Sequence, residues 1–167
     1  MAEPDRDPGT PHGDPDADRR WLTAAIDLSR RCPPSDSAFS VGAILVAASG
    51  QVTATGYSRE TGPQDHAEEV ALHRAAAALL SGATLYSSLE PCLRRKSRPA
   101  SCAALIAAAG LRRVVIAWRE PPLFVPGGGA TWLAARGVTV IELPEFAAAA
   151  KSVNAHLVVH DRGIAPG

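Results

Sequence analysis

The chain has 167 residues, 46% of them hydrophobic, and its 17 basic side chains balance 17 acidic ones. That length suits one domain with a sizeable core, and no basic stripe with interleaved aromatics marks a single-strand nucleic-acid binder. No apolar run is long enough to cross a bilayer, and the acidic start lacks the basic and hydrophobic regions of a secretory signal, so a soluble cytoplasmic protein is expected.

Met1 to Asp18 holds six acidic side chains and one basic one, a net −5 that leaves +5 for the remainder. Crowded with Pro, Gly, Asp and His, and without apolar periodicity, residues 1–18 read as a disordered tail ahead of one domain over residues 19–167. Trp21, Leu22, Ala25, Ile26 and Leu28 recur at helical spacing, and Pro33-Pro34 ends that helix near Cys32. Val41 to Ala48 and Gln51 to Tyr57, joined by Ser49-Gly50, read as a hairpin. Asp65 is a candidate cap for a helix from about His66 to Gly82, with Val70, Ala71, Ala75, Leu79 and Leu80 on its apolar face. Thr84 to Leu89 reads as a buried strand, and the loop 90–100 leads to a helix from Ser101 to Ala109. Strands at Val114 to Trp118 and Val138 to Leu143 flank a loop and short helix over Gly127 to Ala135, and Glu145 to Leu157 is a last helix. Alternation of strands and helices after residue 80 favours parallel pairing there. The fold class expected is α/β, a three-layer α/β/α sandwich around a mixed five-stranded sheet.

The chemistry concentrates between His66 and Cys102. His66-Ala67-Glu68, then Pro91-Cys92, then Cys102 supply one imidazole, two thiols and a separate carboxylate. A catalytic zinc site asks for three such ligands with a fourth position left for water, and for a nearby group that moves protons. A closed structural site would need a fourth Cys or His, and none is suitably placed. Three cysteines without an export signal argue against a disulfide framework, and Cys32 reads as an ordinary half-buried thiol. One geometric demand follows. Residues two apart on a helix point about 200° away from each other, so His66 must sit at or before the first helical position to face the same point as Glu68.

H-A-E followed by Pro-Cys and a second Cys resembles the signature of the zinc nucleobase and nucleoside deaminases. The string Ala83 to Cys92, with its widened loop to Cys102, is similar to the pyrimidine deaminase of riboflavin biosynthesis, and the likeness extends over most of the chain after residue 20. That family has the same sandwich layout. The resemblance implies Zn2+ held by His66, Cys92 and Cys102, with Glu68 as the catalytic proton shuttle, and a hydrolysis that replaces a ring amino group by a carbonyl. It also implies a homodimer, with the segment from Glu120 through Phe124 to Trp132 bordering a neighbouring subunit's pocket.

Substrate contacts are expected from two places. The loop between the cysteines carries Arg94, Arg95, Lys96 and Arg98, which either grip a phosphate, as basic residues do in the riboflavin deaminases, or form a solvated basic loop. Ser37 to Ala43 reads S-A-F-S-V-G-A where those deaminases have Pro-Asn-Pro before Val-Gly, and so is closer to the F-x-V-G-A of cytidine deaminases. Phe39 either stacks on a base or fills the core, and Ala43 and Ser88 are further candidates for contact with the ring. Glu69 and His73 read as helix-surface residues, Glu90 as a residue that shapes its loop, and Gly127-Gly128-Gly129 as a flexible connection. The leading function is a zinc hydrolase acting on a small amino-heterocycle. The alternatives are a cytidine, deoxycytidylate or cytosine deaminase, a nucleic-acid editor, or an inactive partner subunit.

Overall fold

The computed structural model describes residues 13–124 and 126–158. Aliphatic and β-branched segments form five strands: β1 (Gly42–Val46), β2 (Val52–Tyr57), β3 (Thr84–Ser87), β4 (Arg113–Ile116) and β5 (Thr139–Glu142). They lie in the order β2-β1-β3-β4-β5. β1 runs antiparallel to β2 and β3, whereas β3, β4 and β5 are mutually parallel, as the intervening helices require. β4 is buried along its whole length, the mark of a strand covered on both faces.

The two faces can be told apart at two glycines. A Cβ on Gly42 would lie 2.0 Å from the Ala25 carbonyl oxygen of α1 (Pro15–Ser29). One on Gly56 would lie 2.4 Å from the Ala67 carbonyl oxygen of α2 (Ala67–Arg74). Gly42 pairs with Tyr57 and Ala43 with Gly56, so the two glycines point to opposite sides. α3 (Cys102–Ala108) packs against α2, and α4 (Gly129–Ala134) against α3, on one face; α5 (Ala147–Val153) joins α1 on the other. α6 (Ala155–Val158) closes the described chain. The expected three-layer sandwich is thus what forms. Leu45, Leu85, Val114, Ile116, Leu22 and Ile106 fill its interior.

Three boundaries differ from the sequence reading. Most of the expected tail, residues 1–12, and His12 with it, lies outside the described residues. α1 nevertheless begins at Pro15, capped by the Asp14 carboxylate, which accepts from Asp16 N–H at 3.0 Å. Asp18, placed in the tail by its composition, is buried. It receives Arg113 Nη1 at 2.8 Å, Arg113 Nη2 at 2.6 Å and Tyr86 Oη at 2.8 Å. Burial opposes its charge, but the hydrogen bonds from Arg113 and Tyr86 and the arginine's charge outweigh it and hold the carboxyl below its usual range.

α2 ends at Arg74, well short of Gly82, because Ala75 and Ala76 turn to ψ of 135° and 131° as the chain swings back towards β3. Helical propensity of an alanine run yields here to topology. The last helix breaks at Asn154, whose side-chain amide accepts from Ser40 N–H at 2.7 Å and donates to Ser40 O at 3.1 Å. That clamp holds the loop carrying Phe39.

Candidate active site

His66 is the N-cap of α2 with extended φ and ψ of −96° and 150°, so its side chain escapes the helical fan that would turn it away from Glu68. The close approach of α2 to Gly56 sets the depth of this turn. Cys92 ends the segment after β3, and Cys102 is the first residue of α3, whose N-cap Ser101 accepts from Ala104 N–H at 3.2 Å. His66 Nδ1 lies 3.5 Å from Cys92 Sγ and 3.5 Å from Cys102 Sγ. The three donor atoms all fall within 4.8 Å of one another. Tetrahedral zinc with bonds of about 2.3 Å to sulfur and about 2.0 Å to nitrogen needs S···N separations of about 3.5 Å, so the donor set fits that ion.

The electrostatics suit a cation as well. The hydrogen bond from Cys102 favours the Cys92 thiolate, whose burial opposes it and whose neighbour His66 assists it, and brings its pKa down to about 4. The Cys102 thiol is pushed up by the same hydrogen bond and by its burial. One thiolate therefore forms readily and the second is disfavoured until a metal compensates the pair.

Glu68 is buried beside them and accepts a hydrogen bond from Ser87 Oγ at 3.1 Å through Oε1. Burial pushes its carboxyl up, and the Cys92 thiolate adds to the effect. His66, Glu68 and Cys92 open on a cavity of about 520 Å³, with Phe39, Leu89, Leu123 and Phe124 as its apolar walls. Phe39 meets Trp118 and Phe124 edge-on, with centroids 5.6 Å and 5.1 Å away, so it serves both core and cavity.

Several expected contacts fall elsewhere. Ala43 is buried within β1 and does not reach the cavity. Ser88 Oγ accepts from Gly42 N–H at 3.1 Å and is used up structurally, because strand alternation turns Ser87, and not Ser88, towards α2. In the basic loop, Arg94 and Lys96 line the cavity and are exposed. Arg95 also borders it, but carboxylates claim Arg95 and Arg98. Arg95 Nη1 pairs with Glu69 at 3.1 Å, while Arg98 pairs with Asp65 at 2.7 Å and Glu69 at 3.2 Å. Glu69 is therefore buried rather than solvated. Glu90 does shape its surroundings, accepting from Glu120 N–H and Ala130 N–H, each at 2.8 Å. Gly129 is no loose connector: a Cβ there would lie 1.8 Å from the Pro91 carbonyl oxygen.

Glu120 entered the sequence reading only as one end of the segment expected at a neighbouring subunit's pocket. Burial pushes its carboxyl up to about 8, with the charges of Cys92, Glu68 and Glu90 adding to the shift, and its Oε2 has no hydrogen-bond partner among the described residues. Glu120, Leu123 and Phe124 border this chain's own cavity.

Residues 15–118 match the family model described as the cytidine and deoxycytidylate deaminase zinc-binding region. The chain belongs to that family. It is 38% identical over 130 residues to the diaminohydroxyphosphoribosylamino-pyrimidine deaminase of Schizosaccharomyces pombe, covering 75% of this chain and 32% of that protein. It is 40% identical over 127 residues to the riboflavin biosynthesis protein RibD of Escherichia coli K12, covering 74% and 33%. The chain thus spans about a third of the length of these curated relatives. Among solved structures, Acinetobacter baumannii RibD superposes with a TM-score of 0.73 at 30% identity, over 89% of this chain and 41% of that one. The Rib2 deaminase of Aspergillus oryzae in complex with DARIPP shares the fold, with a TM-score of 0.64 at 20% identity over 89% of this chain and all of that one. The family is a zinc-binding one, in agreement with the donor set.

Proposed function

We propose that the chain is a zinc-dependent hydrolytic deaminase of the riboflavin-pathway type, replacing a ring amino group of a pyrimidine or related heterocycle by a carbonyl and releasing ammonia. The observation that carries this reading is a buried Glu68, held by Ser87, beside a His66, Cys92 and Cys102 donor triangle that opens on an apolar cavity. Zinc, when bound, supplies a Lewis acid that makes water nucleophilic at neutral pH. Glu68 takes a proton from the attacking water and passes it to the ring nitrogen next to the amino-bearing carbon. It then takes the remaining proton from the hydroxyl now on that carbon and delivers it to the departing amine, so that the C–N bond breaks as the C=O bond forms and NH₃ leaves. Ser87 fixes one carboxylate oxygen and leaves the other for that transfer.

Phe39 and Phe124 suit a flat ring, and the free Oε2 of Glu120 suits an N–H donor on it. Arg94 and Lys96, the two loop cations that no carboxylate claims among the described residues, are the ones available to a phosphate. A second reading, a cytidine or deoxycytidylate deaminase, is favoured by Phe39 in the cavity wall after the S-A-F-S-V-G-A phrase. The proposal expects a cytoplasmic homodimer acting on a small molecule rather than nucleic acid, with its domain starting at α1. No helix among the described residues is long and apolar enough to cross a membrane.

Ammonia release by the zinc-loaded protein tests this across a panel: a diamino-ribosylaminopyrimidinone 5′-phosphate, its dephosphorylated form, deoxycytidylate, cytidine and cytosine. Turnover of the first is expected, with Glu68→Ala keeping one zinc per chain and losing activity. No ammonia from any amino-heterocycle would overturn the reading.

A further inference from the structure

Glu69 follows the proton-shuttling residue, yet its side chain points to a different task. Its side chain is 8% exposed, and that of Arg95 opposite is 2% exposed. Glu69 Oε2 accepts from Arg95 Nη1 at 3.1 Å, and its Oε1 lies 3.2 Å from Arg98 Nε. The same Oε2 stands 3.5 Å from the backbone N–H of His66 and closes the first turn of α2. Arg95 Nη2 also donates to Gln64 O at 2.7 Å, and Arg98 Nη2 to Asp65 at 2.7 Å. Two arginines of the loop between Cys92 and Cys102 are therefore tied, through one carboxylate and the backbone before it, to the turn that presents His66.

We propose that Glu69 is a positioning residue: with Arg95 and Arg98 it staples the inter-cysteine loop to the histidine turn and so holds the zinc ligands from two distant chain segments at coordination distance. A loop of nine residues between two ligands costs entropy to order each time the metal leaves and returns. A buried charge pair whose guanidinium also grips the Gln64 carbonyl restrains it, and an arginine with no carboxylate at that depth would be left uncompensated. The staple also explains why Arg95 and Arg98, unlike Arg94 and Lys96, are unavailable to a ligand's phosphate. The inference rests on the zinc reading above.

Release of zinc to an excess of chromogenic chelator tests it, read on folded protein alongside far-UV circular dichroism. Glu69→Gln keeps the shape and removes the charge; it is expected to fold, to start with one zinc per chain, and to release it about 10–100-fold faster than the parent. Arg95→Lys keeps a charge against Glu69 but loses the fork to Gln64 O, and an intermediate rate is expected. A merely structural pair would lower the melting temperature without changing release from folded protein. Release from Glu69→Gln at the parent rate would overturn the proposal. Should that variant not fold, parent-rate release from Arg95→Lys overturns it equally. A parent that takes up no zinc refutes the proposed function instead, whereas a zinc-holding parent with unchanged variants refutes only the staple.

Discussion

Ser87→Ala is the sharpest probe of the proton chemistry, because it removes one hydroxyl from a fully buried site and touches no metal ligand. Ser87 donates to Glu68 Oε1 at 3.1 Å, and a hydrogen bond to a charged group is worth about 1.5–3 kcal/mol. The bond favours the carboxylate over the carboxylic acid, so its loss raises the Glu68 pKa from a value that burial has already raised. One pKa unit corresponds to about 1.4 kcal/mol, so the acid limb of the kcat/KM profile should move up by about 1–2 units. The sign is fixed: below that limb Glu68 is protonated and cannot accept the proton of water, so the variant loses activity at a higher pH than the parent. The assay is ammonia release against pH, with zinc content measured on the same samples and expected to stay at one per chain. Ser88→Ala is the control, since its hydroxyl serves Gly42 N–H; it should cost about 1–3 kcal/mol of stability and leave the limb in place. An acid limb in Ser87→Ala that coincides with the parent's would refute the assignment of Glu68 as the proton carrier.

Asp18→Asn strands a buried Arg113 and should destabilise the fold by about 3–5 kcal/mol in urea titrations, whereas Asp18→Leu with Arg113→Met should recover most of the loss. The Asp18 carboxyl is held below its usual value, so its contribution is present above the unfolded-state pKa and disappears as pH falls through the folded-state one, a slope that acid unfolding curves of parent and Asp18→Asn would show. Cys102→Ser should lose zinc outright by elemental quantification, and chelator treatment of the parent should lower its melting temperature, since binding energy at such a site is folding energy. Arg94→Ala and Lys96→Ala should raise KM for a phosphorylated substrate about tenfold and leave KM for the dephosphorylated form alone.

The donor cluster was legible because His66-Ala67-Glu68, Pro91-Cys92 and Cys102 resemble a zinc deaminase signature, and the extended N-cap at His66 is the geometry that His66-Ala67-Glu68 requires. The mixed character of the sheet was legible from the hairpin and the later strand-helix alternation, whereas the strand order was not read. What failed were residues whose role depends on a distant partner. Asp18 looks like one more acid of a polar stretch until Arg113 and Tyr86 from β4 and β3 meet it. Glu69 looks like a surface charge until a loop 26 residues later delivers Arg95. Ser87 ends β3 and Ser88 follows it; both are buried, as are Leu85 and Tyr86, so burial alone does not tell which serine faces α2. Glu120 and Phe124 sit in a stretch without periodicity, where no local pattern reports the direction of a side chain.

The mooring of Glu90 has a mechanical corollary. Its carboxylate grips the amides of Glu120 and Ala130 while Gly129 rests on Pro91, so one border of the cavity is bolted to the turn that bears Cys92. That side cannot swing outward as a flap without disturbing Cys92. Any widening of the cavity therefore falls to its other lining residues, among them the exposed Arg94 and Lys96.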